Sequence, residues 1–268
     1  MLVARRVTPP LWDVLGFADD APETHGRNMD GVVVLGGVAD VLERFHGQSI
    51  WFHCGIGRNS VRRKLSEMAE SAGFRPATLI DPRAVVAESA EGGPGTYVAP
   101  HVFIGPQAKV GRHVLINVGS SVGHHASVGD YAQLCPGARL SGNVSLGAST
   151  FVGSNGVLAP GVSMGEGATL AASSFAARDV PAGALALGVP AKMLATPGKP
   201  ACSCGHMNET RLKNCVSESL GVGIEQVTDL LAYNSVKQMD TVAHMALVAA
   251  VESEFNVMLD TDEIIALS

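Results

Sequence analysis

The two residues with the clearest chemical potential are His124 and Gly142, which lie 18 positions apart in the sequence. Imidazole has an unperturbed pKa near 6.5 and is the natural general base at neutral pH. A glycine lets a substrate approach the backbone closely, so its N–H could stabilise a developing oxyanion. Acyl transfer from a thioester to an amine or hydroxyl needs both functions. The pair could serve such a reaction if the fold brings the two residues together.

A six-residue repeat predicts a fold that would do so. An aliphatic residue or Met recurs at every sixth position from Val98 to Leu170, and a small or β-branched residue stands two positions before each. This period is typical of a parallel β-helix, in which each unit is one short strand and one turn. Three units make a coil of 18 residues, and coils stack at a spacing of about 4.8 Å. Gly142 is therefore expected to stack over His124.

The side chains of the repeat have separate expected roles. The large aliphatic residue fills the interior of the coil, and the small residue fits a corner. Glycine often follows the aliphatic residue, and we attribute these glycines to backbone angles that other residues resist. They are Gly105, Gly111, Gly123, Gly129, Gly147, Gly153 and Gly165.

The register resembles that of the left-handed β-helix, or hexapeptide, acyltransferases. The strings VGHHASVGDYAQLCPGARLSGNVSLG (122–147) and DVPAGALALGVPAKML (179–194) resemble one branch of them, which contains the bacterial sialic acid O-acetyltransferases and sugar-nucleotide N-acetyltransferases. The resemblance implies a left-handed coil, a homotrimer and acetyl-CoA or another acyl-CoA as donor. The implied acceptor is an amino or hydroxyl group of a sugar or nucleotide sugar.

The same resemblance assigns roles to individual residues. His124 matches the family's general base, and Gly142 matches the glycine that meets the acyl oxygen. The donor is expected between two subunits, along the outside of the coil, near Gly142 and Gln133 and near a G-x-P-A-K ending. That ending consists of Gly188, Pro190, Ala191 and Lys192.

Two positions depart from the family's pattern. The residue after the catalytic histidine is usually acidic and orients the imidazole, but here it is His125. A second histidine that helps to hold the donor usually follows nine residues after the first, but here Gln133 takes its place. No carboxylate partner for His124 is therefore identified, and Asp130 is only its neighbour in sequence. Three interpretations remain open: a weaker base, a slower enzyme, and a different partner supplied by the adjacent subunit.

The segments before the repeat predict a separate α/β domain, residues 1–95, ahead of a β-helix domain, residues 96–194. The segment 49–54 has the pattern of a strand. The segment 55–73 predicts a helix that opens at a glycine turn and is closed by Gly73.

This layout resembles the small Rossmann-like unit of the same family, with its GF-x-DD turn and G-x-N-x-x-R helix start. By that resemblance Asp19, Asp20, Gly57 and Asn59 are expected to bind the acceptor, and Arg62 completes the second motif. For the two aspartates a solvated turn is the alternative. Family members begin with a further strand and a Gly-rich loop that holds phosphates. This chain begins just before the second strand, so the unit is expected to be truncated or to bind nucleotides differently.

The end of the chain predicts a further module. Residues 195–206 have the composition of a Pro/Gly linker, and residues 207–268 show helical patterns with 3 basic and 10 acidic residues. The stretch 233–267 resembles an acyl carrier protein. Thr241 stands where that family carries phosphopantetheine on a serine, so the modification is not expected. The module is interpreted as a partial all-α carrier-like domain that could serve as an acidic docking surface.

Composition excludes several classes of protein. Of the 268 residues, 16% are charged, and the net charge is −6 with the excess acid at one end, which argues against nucleic acid as a partner. No apolar run approaches the ~20 residues of a membrane span, and five cysteines without framework spacing favour a reducing, cytoplasmic location. No metal site is expected. Two alternatives remain open: acyl delivery by a carrier protein, and a non-catalytic trimeric scaffold.

Overall fold

The computed structural model of the chain describes residues 12–194 and Ser217. The chain forms two units, Met1–Thr196 and Pro197–Ser268. The predicted linker, the carrier-like domain and Thr241 lie outside the described residues, apart from Ser217.

The described N-terminal part combines short strands with two α-helices. Strand β1 runs parallel to β3, β2 runs antiparallel to β3, and β4 runs parallel to β5. The second helix ends just before Gly73, whose φ is +88°, as the helix pattern predicts. The elements are β1 Phe17–Ala18, a 3-10 helix Pro22–Thr24, β2 Asn28–Met29, β3 Val32–Gly36, α1 Val38–Arg44, β4 Trp51–Phe52, α2 Asn59–Ser71 and β5 Arg75–Pro76.

From β6 onward the chain is a left-handed parallel β-helix. Short strands recur at six-residue intervals, and a longer hairpin closes the described part. The strands are β6 Leu79–Ile80, β7 Val85–Val86, β8 Glu91–Gly92, β9 Tyr97–Val98, β10 Phe103–Ile104, β11 Lys109–Val110, β12 Leu115–Ile116, β13 Ser121–Val122, β14 Ser127–Val128, β15 Gln133–Leu134, β16 Arg139–Leu140, β17 Ser145–Leu146, β18 Phe151–Val152, β19 Val157–Leu158, β20 Ser163–Met164, β21 Thr169–Leu170, β22 Phe175–Ala176, β23 Leu185–Gly188 and β24 Ala191–Leu194.

Every third short strand pairs in parallel, which produces three sheets around a triangular interior. Sheet 1 contains β6, β9, β12, β15, β18, β21, β23 and β24. Sheet 2 contains β7, β10, β13, β16, β19 and β22, and sheet 3 contains β8, β11, β14, β17 and β20. Paired residues such as Val122 and Leu140 are 18 positions apart. The predicted coil of 18 residues is confirmed.

The interior of the β-helix is built from the repeat itself. All thirteen register positions from Val98 to Leu170 are buried, and the most exposed of them, Val110, is only 6% exposed. The small residues two positions earlier, from Thr96 to Ala168, are buried as well. Burial of apolar surface at every strand, with parallel hydrogen bonds between coils, stabilises the stack.

The glycines of the repeat have a different role from the expected one. Left-handed backbone falls two residues later, at the second residue of each corner, as at His125 with φ +58° and Asn143 with φ +60°. A Cβ at Gly123 would instead lie 2.5 Å from the main-chain carbon of Ser141 in the next coil. The expectation of unusual backbone angles at these glycines is therefore wrong. They allow one coil to stack closely on the next.

The β-helix also begins earlier than the expected boundary at residues 95 and 96. Strand β6 already pairs with β9, so the first coil starts at Leu79. Ile80 and Val86 continue the six-residue register, but Gly92 interrupts its aliphatic pattern. Ile80 and Val86 are 44% and 38% exposed, because no earlier coil covers them in register. The boundary drawn from the sequence is about one coil too late.

Within residues 12–194, no helix is both long enough and apolar enough to cross a membrane.

Candidate active site

The corner between sheets 2 and 3 carries the predicted general base. His124 and His125 form the turn between β13 and β14, and both are exposed. The turn is held by the stacking of coils, since His125 N–H donates to Pro106 O at 3.0 Å and His124 O accepts from Asn143 N–H at 2.9 Å. The imidazoles therefore project from a rigid corner and remain accessible.

The next coil places Gly142 directly against the His124 ring. A Cβ built on Gly142 would lie 2.5 Å from His124 Cε1 and would overlap Nε2 as well. The carbonyl of Gly142 accepts from Gly161 N–H at 3.0 Å, whereas its own N–H donates to no acceptor among the described residues. A ring nitrogen and an open main-chain N–H are thus brought together, as the 18-residue spacing predicts.

The second nitrogen of His124 contacts its sequence neighbour. Nδ1 of His124 lies 3.0 Å from Nδ1 of His125, and the two rings are nearly perpendicular, at 88°. Asp130 lies at the corner between sheets 3 and 1, where its Oδ1 accepts from Arg112 N–H at 2.9 Å. Asp130 is therefore not the partner of His124 within one protomer.

A second concave region lies where the N-terminal part meets sheet 1. It is a cleft of about 600 Å³ between the start of α2 and the outer faces of β15, β18 and β21. The cleft brings together Gly57, Asn59 and Gln133, which the sequence assigned to two different substrates. Its lining is Gly57, Arg58, Asn59, Ser60, Arg63, Gln133, Ser149, Phe151 and Thr169.

Asn59 also joins the N-terminal part to the β-helix. Its side-chain nitrogen donates to the carbonyls of Ser149 and Thr150 at 2.9 and 3.2 Å. Its side-chain oxygen accepts from Arg62 at 2.9 Å. The amide is therefore engaged in holding one wall of the cleft, while Gly57 borders the opening with Gln133 atoms 3.7 Å from its ideal Cβ position.

Arg62 is the largest fully buried side chain in the described structure, and the sequence assigned it no role beyond its motif. It donates to the carbonyls of His113 at 3.0 Å, Ile56 at 2.8 Å and Tyr131 at 2.6 Å. Burial lowers the pKa of Arg62 to about 10, so the group remains a cation at neutral pH. Because its acceptors lie on both parts of the chain, Arg62 fixes α2 against the β-helix.

A second polar cluster lies beside Arg62. The carboxylate of Glu70 on α2 pairs with Arg112 and, at 2.7 Å, with Nε2 of His113. Burial opposes ionisation of Glu70, but the hydrogen bonds from these two partners outweigh it and the pKa of Glu70 is lowered. The buried His113 ring also stacks on Tyr131, with 5.2 Å between ring centroids. These contacts give α2 and the cleft a fixed position.

Asp19 and Asp20 have local structural partners. Asp19 Oδ1 accepts from Ala21 N–H at 2.8 Å. Asp20 Oδ1 accepts from Val38 N–H at 2.8 Å, at the first residue of α1. Both are exposed and neither lines the cleft.

The G-x-P-A-K ending, which is the predicted donor-binding segment, extends sheet 1. Its residues Gly188, Pro190, Ala191 and Lys192 lie on or between β23 and β24, which pair antiparallel. Gly188 has φ +100° and donates its N–H to Ser174 Oγ at 2.9 Å, and a cis peptide bond precedes Pro190. Lys192 is exposed. The hairpin thus continues the sheet that forms one wall of the cleft, and no cluster of three or more metal-ligating side chains occurs in residues 12–194.

Phe151 and Thr169, two cleft residues on the outer face of sheet 1, were not predicted from the sequence. They are spaced by 18 residues from each other and from Gln133, so the three side chains stack along one face. The coil period could have predicted this row, because each occupies the position before a buried aliphatic residue. Taken with the corner at His124, these features define a hexapeptide acyltransferase.

Comparisons with known proteins agree with this class. Residues 5–69 match the family model of the PglD N-terminal domain. PerB, a perosamine N-acetyltransferase from Caulobacter crescentus solved with CoA and GDP-perosamine, is 33% identical over 67% of this chain and 84% of its own, with a TM-score of 0.63. The acetyltransferase domain of PglB from Neisseria gonorrhoeae, solved with acetyl coenzyme A, is 28% identical over 72% and 92%, with a TM-score of 0.65. No curated protein matches.

The chain belongs to the family of left-handed β-helix sugar N-acetyltransferases that contains PerB. The resemblance predicted from the repeat and from the GHH and G-x-P-A-K strings is confirmed.

Proposed function

We propose that this protein transfers a short acyl group, normally acetyl, from acyl-CoA to the amine of a nucleotide-linked amino sugar. The observation that carries the proposal is the contact of the His124 imidazole with Gly142, whose N–H has no acceptor among the described residues. The relatives support the substrate classes, since PerB is solved with CoA and GDP-perosamine and PglB with acetyl coenzyme A.

The reaction uses the two residues in sequence. His124 Nε2 accepts a proton from the amine nitrogen as that nitrogen forms a bond with the thioester carbonyl carbon. Gly142 N–H donates to the carbonyl oxygen as the π electrons move onto it. His124 then returns the proton to sulfur as the C–S bond breaks and the carbonyl re-forms. The products are an amide and free CoA, and His124 ends neutral.

The cleft beside α2 is proposed as the site of the acceptor's phosphates. Support comes from the N-terminus of the 13-residue helix α2, because helix N-termini favour anions, and from Arg58 and Arg63 in the lining. Gly57 and Asn59 border the same space. Asp19 and Asp20 are proposed to act only indirectly, through the turn that precedes α1, because their carboxylates already accept backbone hydrogen bonds.

The donor is proposed to follow the outside of the coil, with its thioester at Gly142 and its other parts near Gln133 and the ending at Gly188, Pro190, Ala191 and Lys192. In one protomer, His124 lies at the corner between sheets 2 and 3, whereas Gln133 and the ending lie on sheet 1. A complete site would therefore take residues from two copies.

A homotrimer would provide that second copy, and an exposed apolar surface supports association. Val85 and Phe103 on sheet 2 are 61% and 45% exposed, and Val118, at the corner between sheets 1 and 2, is 46% exposed. Large exposed apolar side chains that lie near each other are typical of interfaces. Sedimentation equilibrium of the full chain tests this, with a monomer at micromolar concentration as the contrary result.

The test of the activity compares His124→Asn with His101→Asn. The substitution at His124 removes the base but keeps a polar side chain, and His101 is an exposed corner histidine of the same β-helix. With acetyl-CoA and GDP-perosamine, and with amino sugars on other nucleotides, we expect thiol release and an N-acetylated product. His124→Asn should lower kcat by about 10² to 10⁴ and leave acetyl-CoA affinity unchanged. A loss of less than about tenfold, or no transfer to any amino sugar by the native chain, contradicts the proposal.

A further inference from the structure

We propose that His125 is a positioning residue that takes the place of a carboxylate: its Nδ1 accepts a hydrogen bond from His124 Nδ1–H and thereby keeps the lone pair of His124 on Nε2. The inference rests on the proposed role of His124 as general base. It concerns a residue that departs from the family's acidic pattern.

The geometry of the two rings requires a single shared proton. The two Nδ1 atoms are 3.0 Å apart, which is a hydrogen-bond distance for nitrogen, and the rings are inclined at 88°. A neutral imidazole has one donor and one acceptor nitrogen. One ring must therefore donate through Nδ1 and the other must accept through Nδ1.

Only one of the two arrangements is catalytically competent. If His124 donates, its Nε2 carries a lone pair at the position nearest Gly142, where the substrate amine would lose its proton. If His125 donates, the proton of His124 is on Nε2 and no base faces that space. Acyl transfer therefore selects His125 as the acceptor, with the proton of His125 on its own Nε2.

The corner conformation explains how two consecutive side chains can meet. In a strand, successive side chains point to opposite faces. His125 instead has φ +58° as the second residue of the corner, and its N–H is held by Pro106 O at 3.0 Å. His101 at another corner has φ +59°, so the fold imposes this backbone whatever the side chain does.

No carboxylate competes for His124 within the protomer's neighbouring coils. Asp130 is the only acidic residue in the three coils 103–156, and it is engaged with Arg112 at another corner. The charged groups on the strands beside the His124 corner are Lys109 and Arg139, both exposed cations. The corner residues stacked on either side do not titrate; they are Pro106, Gln107, Gly142 and Asn143.

A histidine partner differs from a carboxylate partner in the charge that it offers to His124. When His124 becomes an imidazolium, neutral His125 stabilises it by a charge-assisted hydrogen bond but supplies no opposite charge. A carboxylate at residue 125 would supply that charge and would stabilise more strongly the imidazolium formed during the reaction.

The tautomer is measured directly on the full-length chain without substrate. In long-range proton–nitrogen spectra of ¹⁵N-histidine-labelled protein at pH 8, with His124→Asn used for assignment, His124 should be protonated on Nδ1. His125→Gly, which suits the positive φ and removes the acceptor, should move the proton of His124 mainly to Nε2. His125→Asn, which keeps a side-chain acceptor, should leave His124 protonated on Nδ1 as in the native chain. An Nε2-protonated His124 in the native chain, or no change in His125→Gly, would overturn the proposal.

The kinetic readout uses the same variants with acetyl-CoA and GDP-perosamine. His125→Gly should lower kcat/KM about tenfold, a smaller loss than that of the base itself. His125→Asp, which keeps an acceptor beside His124 and adds a negative charge, should retain at least the native kcat/KM. His101→Gly, at a matched corner histidine, should leave kcat/KM unchanged. If no acceptor reacts, the proposed function fails, while the spectra still decide the role of His125.

Discussion

The imidazole of His124 occupies the space that a β-carbon on Gly142 would need, with His124 Cε1 2.5 Å from that ideal position. The φ of Gly142 does not lie in the left-handed region, unlike that of the next corner residue, Asn143. Glycine is therefore required at residue 142 for contact and not for conformation. The close approach also leaves the N–H of Gly142 open beside the ring.

Replacing Gly142 by Ala should therefore abolish most of the activity while the fold is retained. The new methyl group must displace the His124 ring, so we expect kcat to fall by about 10² or more, similar to the loss of an oxyanion donor or base. Circular dichroism and kcat are measured together. Gly92→Ala is the matched control, because a Cβ there meets nothing within 4 Å. Equal effects of the two substitutions would contradict the steric explanation.

Replacing Arg62 by Met should destabilise the described unit strongly. The substitution leaves several buried carbonyl oxygens without a donor, including those of His113 and Tyr131, and each unsatisfied group costs about 1–3 kcal/mol. We expect the free energy of unfolding in urea to fall by about 3–5 kcal/mol.

The control for Arg62→Met is the same substitution at the neighbouring Arg63, which pairs with Glu67 at 3.1 Å on an exposed helix surface. Exposed pairs of this kind contribute less than about 1 kcal/mol. Arg63→Met should therefore change the stability little. A loss at Arg62 no larger than that at Arg63 would show that the buried guanidinium does not hold the two parts together.

The burial of His53 predicts that the protein loses stability in mild acid. Burial lowers the pKa of His53 from 6.5 to about 4, so the unfolded chain binds more protons between these values. The stabilisation is fully present above pH 6.5 and is lost as the pH falls toward 4. Between pH 7 and 5 this group alone accounts for about 2 kcal/mol.

The comparison variant is His53→Asn, which keeps a donor for the carbonyl of Ala77, the partner of His53 Nδ1 at 3.3 Å. In urea unfolding of both proteins at pH 7 and 5, the free energy of unfolding should change less with pH in the variant. If the free energy of unfolding changes equally with pH in both chains, groups other than His53 cause the acid sensitivity.

Filling the cleft should weaken binding of the acceptor. Thr169→Trp introduces a large ring on the outer face of sheet 1, and titration calorimetry with GDP-perosamine should show at least a tenfold loss of affinity. Ser163 lies on the outer face of sheet 3, in β20, the strand before the one that carries Thr169. Ser163→Trp should therefore leave the affinity for GDP-perosamine unchanged. A reduced affinity for acetyl-CoA alone would instead assign the cleft to the donor.

Much of the β-helix could be predicted from the local pattern, because each six-residue unit requires one large and one small buried residue. The first coil was missed since Gly92 breaks the aliphatic register and Ile80 and Val86 lie at the uncovered end. The role of glycines such as Gly123 could not be predicted from the repeat either. Close approach of two coils is a property of their stacking, which a single six-residue unit does not reveal.

For the candidate active site, the sequence by itself determined that His124 and Gly142 would meet, because the coil period of 18 residues converts their spacing into a stacked pair. Tertiary structure alone decided the contacts of Arg62, whose carbonyl acceptors on the β-helix lie 51 to 70 residues away in the chain. It also decided the pairing of His124 with His125, which depends on a corner with positive φ and on ring orientations. A periodic fold makes distance along the chain predictive, whereas side-chain direction and contacts with the N-terminal part depend on packing in three dimensions.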